Sequence, residues 1–186
     1  TYDGNHNLTS VTDGRGNTTS YEYDKLNRLT AMVDPEGGRT EYTYDAVGNL
    51  VSVKMPEGGV YGNAYDAADR KTSTTDALGH TESYTYDNNG NVLSVTDRRG
   101  NTTSYAYDKD NRLVSVTDAL GGVTTYTYDG LGQVTSITNA LGGVTTTAYD
   151  ANNQITVASN ELAEEGSDTH RVKYEYNNRG FVTKRT

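Results

Sequence analysis

The chain has no cysteine and no tryptophan, two prolines and a single phenylalanine. Without cysteine there is no disulfide framework and no thiolate metal site. Leu, Ile, Val and Phe together number 30 of the 186 residues, below the roughly 20 % that marks a chain poor in core material. A thick two-layer core is therefore excluded. No apolar run approaches the roughly 20 residues of a membrane-spanning helix. No window shows the 3.6-residue apolar period of a helix. A basic stripe is missing too: the net charge is −9, the pI is near 4.7, and acids and bases are interspersed. That charge pattern argues against a nucleic-acid partner.

What is present is a period. Tyr-Asp pairs begin at Tyr2, Tyr23, Tyr44, Tyr65, Tyr86, Tyr107, Tyr128 and Tyr149, always 21 residues apart. Asp3, Asp24, Asp45, Asp66, Asp87, Asp108, Asp129 and Asp150 follow them. A ninth copy, Tyr176-Asn177, arrives six residues late, which places an insertion near 161–169. A second landmark keeps the same interval: Asp13-x-x-Gly16, Asp34-x-x-Gly37, Asp76-x-x-Gly79, Asp97-x-x-Gly100, Asp118-x-x-Gly121 and Asn139-x-x-Gly142, with Gly58 in the same slot after Met55. A fixed period of this length is the signature of a repeat architecture and is not what a disordered tail shows.

Asp at the first position and Gly at the fourth is the preference of a type I turn, and Pro35 and Pro56 occupy the second position, where such turns favour proline. Three residues after each Tyr-Asp aspartate stands His6, Asn27, Gly48, Asp69, Gly90, Asn111, Gly132 or Asn153, the residue types that best tolerate positive φ. Between the turns lie runs such as Leu8-Thr-Ser-Val-Thr12 and Thr18-Thr-Ser-Tyr-Glu-Tyr23, rich in strand formers. Each repeat reads as two antiparallel strands and two tight turns. The fold class expected is all-β: hairpin repeats of 21 residues forming one long, twisted, curved sheet. About 17 or 18 strands at roughly 4.8 Å spacing exceed the ten or so at which twisted open sheets curl or split.

Tyrosine takes the place of the missing aliphatics, with 16 copies. Tyr21, Tyr42, Tyr84, Tyr105, Tyr126 and Tyr174 sit two residues before a Tyr-Asp tyrosine, so each pair shares a strand face. Tyr61 lies on that same face where the repeat has Asn63 in the upstream slot, which reads as local compensation. On the other strand the apolar residues are three apart, as Leu29 and Met32 or Leu113 and Val116. That spacing points them to opposite faces and leaves the inner face open.

Tyr21-Glu-Tyr-Asp-Lys-Leu-Asn-Arg-Leu29, Tyr42-Thr-Tyr-Asp-Ala-Val-Gly-Asn-Leu50 and Tyr105-Ala-Tyr-Asp-Lys-Asp-Asn-Arg-Leu113 carry a resemblance to the RHS, or YD-repeat, family. Eight copies in register extend it over practically the whole chain. The family includes bacterial polymorphic toxins, insecticidal toxin-complex subunits, Gram-positive wall-associated proteins and animal teneurins. The resemblance implies an antiparallel sheet spiralling into a hollow shell that, in the bacterial toxins, encloses a variable C-terminal toxin domain. The family's terminal core motif, with its cleaving aspartates, is absent, so no cleavage activity carries over. The unit 54–75 departs from the pattern, with Met55 for the turn Asp, Lys71 for Leu and Thr74 for Val. Its local stability is expected to suffer.

Other chemistries weigh less. Asp87-Asn-Asn-Gly-Asn91 lacks the spacing of a calcium loop, whose Gly is sixth and Glu twelfth. Asp34-Pro-Glu-Gly-Gly38 is in register with ordinary turns rather than a processing site. His6, His80 and His170 form no metal-ligand cluster in sequence. No acidic pair stands out for glycoside cleavage.

The expectation is one repeat array over 1–186, of about 8.5 repeats, with no catalytic residue, no cofactor and no metal. Its role would be structural, as part of a shell wall that encloses or carries a cargo domain of a secreted or surface bacterial protein. The alternative is a surface adhesion module binding glycans through Tyr21, Tyr42, Tyr84, Tyr105 and Tyr126. Partners would be the remainder of the array, a C-terminal toxin cargo and, at bare strand edges, further copies of the chain. The sequence opens at Thr1 on a repeat boundary and ends at Thr186 within a strand pattern, which reads as a piece of a longer array.

Overall fold

The computed structural model describes residues 1–159, 171–177 and 179–186. The insertion near 161–169 lies outside the described residues. The described residues form seventeen antiparallel strands and contain no helix. The strands are β1 (Ser10–Thr12), β2 (Thr18–Tyr23), β3 (Leu29–Val33), β4 (Arg39–Tyr44), β5 (Leu50–Lys54), β6 (Val60–Tyr65), β7 (Lys71–Thr75), β8 (Thr81–Tyr86) and β9 (Val92–Thr96). They continue as β10 (Thr102–Tyr107), β11 (Leu113–Thr117), β12 (Val123–Tyr128), β13 (Val134–Thr138), β14 (Val144–Tyr149), β15 (Ile155–Ser159), β16 (Arg171–Tyr176) and β17 (Val182–Arg185). A six-residue strand, a five-residue strand and two five-residue turns account for the period.

The chain divides into two compact units, Thr1–Thr85 with Val95–Gly100, and Tyr86–Ser94 with Asn101–Thr186. In the first, each strand from β1 to β8 pairs antiparallel with the next in sequence. In the second, β10 to β17 do the same.

The register resolves the three-residue spacing of the apolar side chains. In the β2–β3 hairpin Tyr21 faces Met32 and Tyr23 faces Leu29, with a bulge between the Glu22–Ala31 and Tyr23–Leu29 pairs. The extra residue, Thr30, absorbs the odd step, so Leu29 and Met32 join both tyrosines on one face. The same bulge recurs along the Tyr-Asp hairpins, as at Tyr107–Leu113 and Tyr128–Val134. The hairpins that turn at Asp13, Asp34, Met55, Asp76, Asp118 and Asn139 have none.

Within the second unit the two faces differ plainly. Along β10, β12 and β14 exposed and half-buried residues alternate, and the half-buried set is the tyrosine face. From β10 to β15 the paired positions of the other face hold only Thr, Ser, Ala and Val. In the first unit that face carries an ion-paired band instead. Arg39 donates to Glu22 at 2.6 Å and to Glu41 at 3.3 Å, and Lys54 to Glu41 at 3.0 Å. Ala31 lies opposite both glutamates and is fully buried beneath them.

Only Ala31, Thr40 and Ser159 are buried among the described residues, and no large side chain is fully enclosed. Neither unit has a second layer, as the shortage of aliphatic residues requires. The divergent unit keeps its strands, β6 and β7, and its turns.

Candidate functional site: turn rims and the tyrosine face

Both kinds of turn have one geometry. In the Tyr-Asp turn the Asn27 amide donates to the Asp24 carbonyl at 3.0 Å, and the Asp24 amide to the Arg28 carbonyl at 3.0 Å. Asn27 has φ 59°. This is the three-residue hairpin loop with a left-handed third residue. Every position expected to take positive φ does so, from His6 at 66° to Gly142 at 85°.

The aspartate ties the loop. Its Oδ1 accepts the amides two and four residues on: Leu26 and Arg28 at 2.8 and 3.0 Å for Asp24, Arg15 and Asn17 at 2.8 and 3.0 Å for Asp13. Oδ2 accepts the side chain four residues on, Arg28 Nε at 2.7 Å and Asn17 Nδ2 at 2.9 Å. Donors aimed at a carboxylate favour its charged form. The Arg28 backbone amide foremost holds the Asp24 carboxyl below the usual range, and the Asn17 side chain does the same for Asp13. The side chains of Arg70 and Arg112 act likewise on Asp66 and Asp108. At Met55 no carboxylate exists, yet the turn closes through backbone alone, Gly58 amide to Met55 carbonyl at 2.9 Å. Pro56 presets the backbone there.

The Tyr-Asp tyrosines join consecutive repeats. The β3–β4 ladder stops at Ala31–Glu41, so the Leu29 carbonyl lies beyond it and needs a donor. Tyr44 supplies one through its hydroxyl at 3.0 Å. Tyr23, Tyr65, Tyr128 and Tyr149 bond the carbonyls of Leu8, Leu50, Leu113 and Val134 at 2.6–3.2 Å, each 15 residues back. Tyr176 reaches Ile155 at 2.8 Å. Tyr2, by contrast, is largely exposed. At the divergent repeat Asn63 also donates to the Leu50 carbonyl, at 2.9 Å, and accepts from Thr74 Oγ1 at 3.1 Å. The compensation there is polar, and Tyr61 is exposed.

Tyr21, Tyr42, Tyr84, Tyr105 and Tyr126 are half-buried on the same face as the locking tyrosines. They pack within the sheet surface rather than standing free of it. The two rows of turn residues lie at opposite strand ends and converge on no common point. A depression lined by Glu82, Asp97, Arg98 and Arg99 is shallow.

Sequence reasoning missed the side chain immediately after the left-handed residue. Asn7 Nδ2 reaches Asn27 Oδ1 of the next Tyr-Asp turn at 2.8 Å, and Asn49 reaches Asp69 at 3.0 Å. Arg28 instead reaches the Asp45 carbonyl at 3.2 Å, its guanidinium 4.8 Å from the Tyr44 ring. Arg112 treats Asp129 and Tyr128 alike, at 3.3 and 4.9 Å. The available signal was a regular alternation of Asn or Asp with Gly at the left-handed slot.

The RHS Repeat family profile matches the chain six times, at residues 2–39, 25–60, 65–102, 86–123, 107–144 and 128–165. Among solved structures, the chain is similar to a crystal structure of TcdB2–TccC3–Cdc42, with a TM-score of 0.62 and 17% identity over 88% of this chain and 10% of that one. It is also similar to the Photorhabdus luminescens Tc holotoxin pore, with a TM-score of 0.56 and 15% identity over 100% of this chain and 13% of that one. TcdB2–TccC3 without its hypervariable C-terminal region gives 0.53 and 17% identity over 89% of this chain and 11% of that one. The chain thus spans about a tenth of the length of the chains it matches. No protein of curated function matches it in sequence.

Proposed function

The chain belongs to the RHS repeat family, and from that premise we propose that it is a wall segment of a shell that encloses or carries a cargo domain of a secreted bacterial protein. The observation that carries this reading is the single-layer sheet: each unit buries almost nothing, and its repeats are fastened to one another rather than to a core. Such a wall confines a partner sterically and performs no chemistry of its own. Its residues are accordingly structural: the Tyr-Asp pairs lock and turn, and Gly16, Gly37, Gly58, Gly79, Gly100, Gly121 and Gly142 take the positive φ of the opposite rim. The similar solved structures are toxin-complex proteins, one without its hypervariable C-terminal region, which supports a cargo at the far end of a longer array.

The test is limited proteolysis of the full-length natural protein beside electron microscopy. A wall predicts a hollow particle whose C-terminal domain resists protease until the particle is denatured. A C-terminal domain cut at the rate of its isolated form rejects the reading. Glycan adhesion is the weaker alternative, since the tyrosines it needs are half-buried and six Tyr-Asp hydroxyls are already bonded to carbonyls. Edge pairing between copies of the chain is a further expectation of any uncovered strand edge, and concentration-dependent sedimentation checks it.

A further inference from the structure

The Tyr-Asp rim does not repeat every 21 residues. From Asn27 on its left-handed residue alternates: Asn27, then Gly48, then Asp69 in the first unit, where His6 occupies the first turn, and Gly90, Asn111, Gly132, Asn153 in the second. The residue that follows alternates with it. After Asn27 and Asn111 stands an arginine, Arg28 and Arg112; after Gly48 and Gly132 stands an amide, Asn49 and Gln133.

The bonds between turns explain the coupling. An amide from a glycine turn donates to the side chain of the left-handed residue in the next turn, as Gln133 to Asn153 Oδ1 at 3.2 Å and Asn91 to Asn111 Oδ1 at 2.8 Å. Glycine in the receiving slot would offer no such acceptor. A long side chain from an Asn turn runs over the next left-handed residue to a backbone carbonyl. Arg112 passes beside Gly132, where a Cβ would touch its Cδ at an ordinary contact distance of 3.9 Å and a longer side chain would extend into its path. Gln154, following Asn153, bonds the Gly180 carbonyl at 3.1 Å and would meet a Cβ at 3.0 Å. A side chain in the receiving slot would occupy that path. On the opposite rim the left-handed residues are all glycine, with nothing within 4 Å of the Cβ site, and a contact between turns there, Arg98 to Asp76 at 3.5 Å, leaves that site open.

We infer that the Tyr-Asp turns form two complementary classes, amide-accepting and arginine-crossed, that each class docks only beside the other, and that the unit of repeat assembly is therefore a pair of repeats, 42 residues long. The rim is an interaction surface whose fitting partner is a turn of the opposite class.

The experiment compares two glycines with the same φ of +85°, Gly132 in the arginine-crossed rim and Gly121 in the open one. Gly132→Asn, Gly121→Asn, Arg112→Asn and the double variant Arg112→Asn with Gly132→Asn are made in the whole 186-residue chain. Thermal unfolding is followed by circular dichroism. Gly132→Asn is expected to lower the midpoint by about 2–4 °C more than Gly121→Asn. The double variant, which recreates the amide-to-Asn pairing, is expected to lose clearly less than the two single changes combined. Equal shifts for the two glycine variants, or additive shifts in the double variant, would overturn the two-class rule.

Discussion

At the scale of single residues, the array is held by polar atoms with assigned partners. The Tyr128 hydroxyl meets the Leu113 carbonyl at 2.6 Å, while the Tyr21 hydroxyl has no hydrogen-bond partner among the described residues. Tyr128→Phe is expected to cost about 1 kcal/mol, the net worth of one hydrogen bond plus a carbonyl left short. Tyr21→Phe should fall within about 0.5 kcal/mol of the parent. Urea unfolding of both variants separates the cases, and equal losses would remove the locking role. Met55 supplies the opposite case, a turn without its carboxylate. Met55→Asp should gain about 0.5–1.5 kcal/mol by giving the Glu57 and Gly59 amides an acceptor. No gain would mean that Pro56 already fixes this turn fully.

At the scale of the hairpin, the same carboxylates make stability depend on pH. The carboxyls of Asp13, Asp24, Asp66 and Asp108 titrate below the ordinary aspartate value in the folded chain. A group whose folded pKa is depressed contributes stability above its unfolded pKa and loses it as pH falls through the folded value. The unfolding midpoint should therefore hold steady from neutral pH to about 5 and fall progressively below about 4. Asn139 marks the control, because its Oδ1 accepts the Leu141 and Gly143 amides at 2.9 and 2.8 Å without titrating. Asp13→Asn, Asp24→Asn and Asp66→Asn combined should flatten the acid limb of the melting curve. An unchanged limb would assign the acid loss elsewhere.

The hairpins were legible because turn chemistry is local: Asp at the first position and Gly, Asn, Asp or His at the fourth state their φ in the sequence. The face of the second strand was not legible. Leu29 and Met32 need the bulge at Thr30 to share a side, and a bulge is defined by the partner strand. The rim contacts were hidden for a related reason. Asn7 and Asn27 meet across 20 positions, and their 42-residue alternation lies beneath a stronger 21-residue rhythm.

At the scale of the whole chain, the absence of a core changes how damage spreads. In a globule, one lost contact weakens a shared interior. Here each strand pairs with its sequence neighbours, and the locks reach one repeat back or forward. Stability in such arrays approximates a sum of repeat and nearest-neighbour contributions. Asp66→Ala removes the acceptor of the Ala68 and Arg70 amides and the anion facing the Arg70 guanidinium, in the hairpin of β6 and β7. Native-state hydrogen exchange should then accelerate in β6 and β7, less in β5, and stay unchanged in β12 to β14 of the second unit. Acceleration shared evenly by all strands would mean that the chain unfolds as one cooperative body. That result would also remove the physical basis for a wall extended repeat by repeat, because each added repeat would have to stabilise a common core that these side chains do not supply.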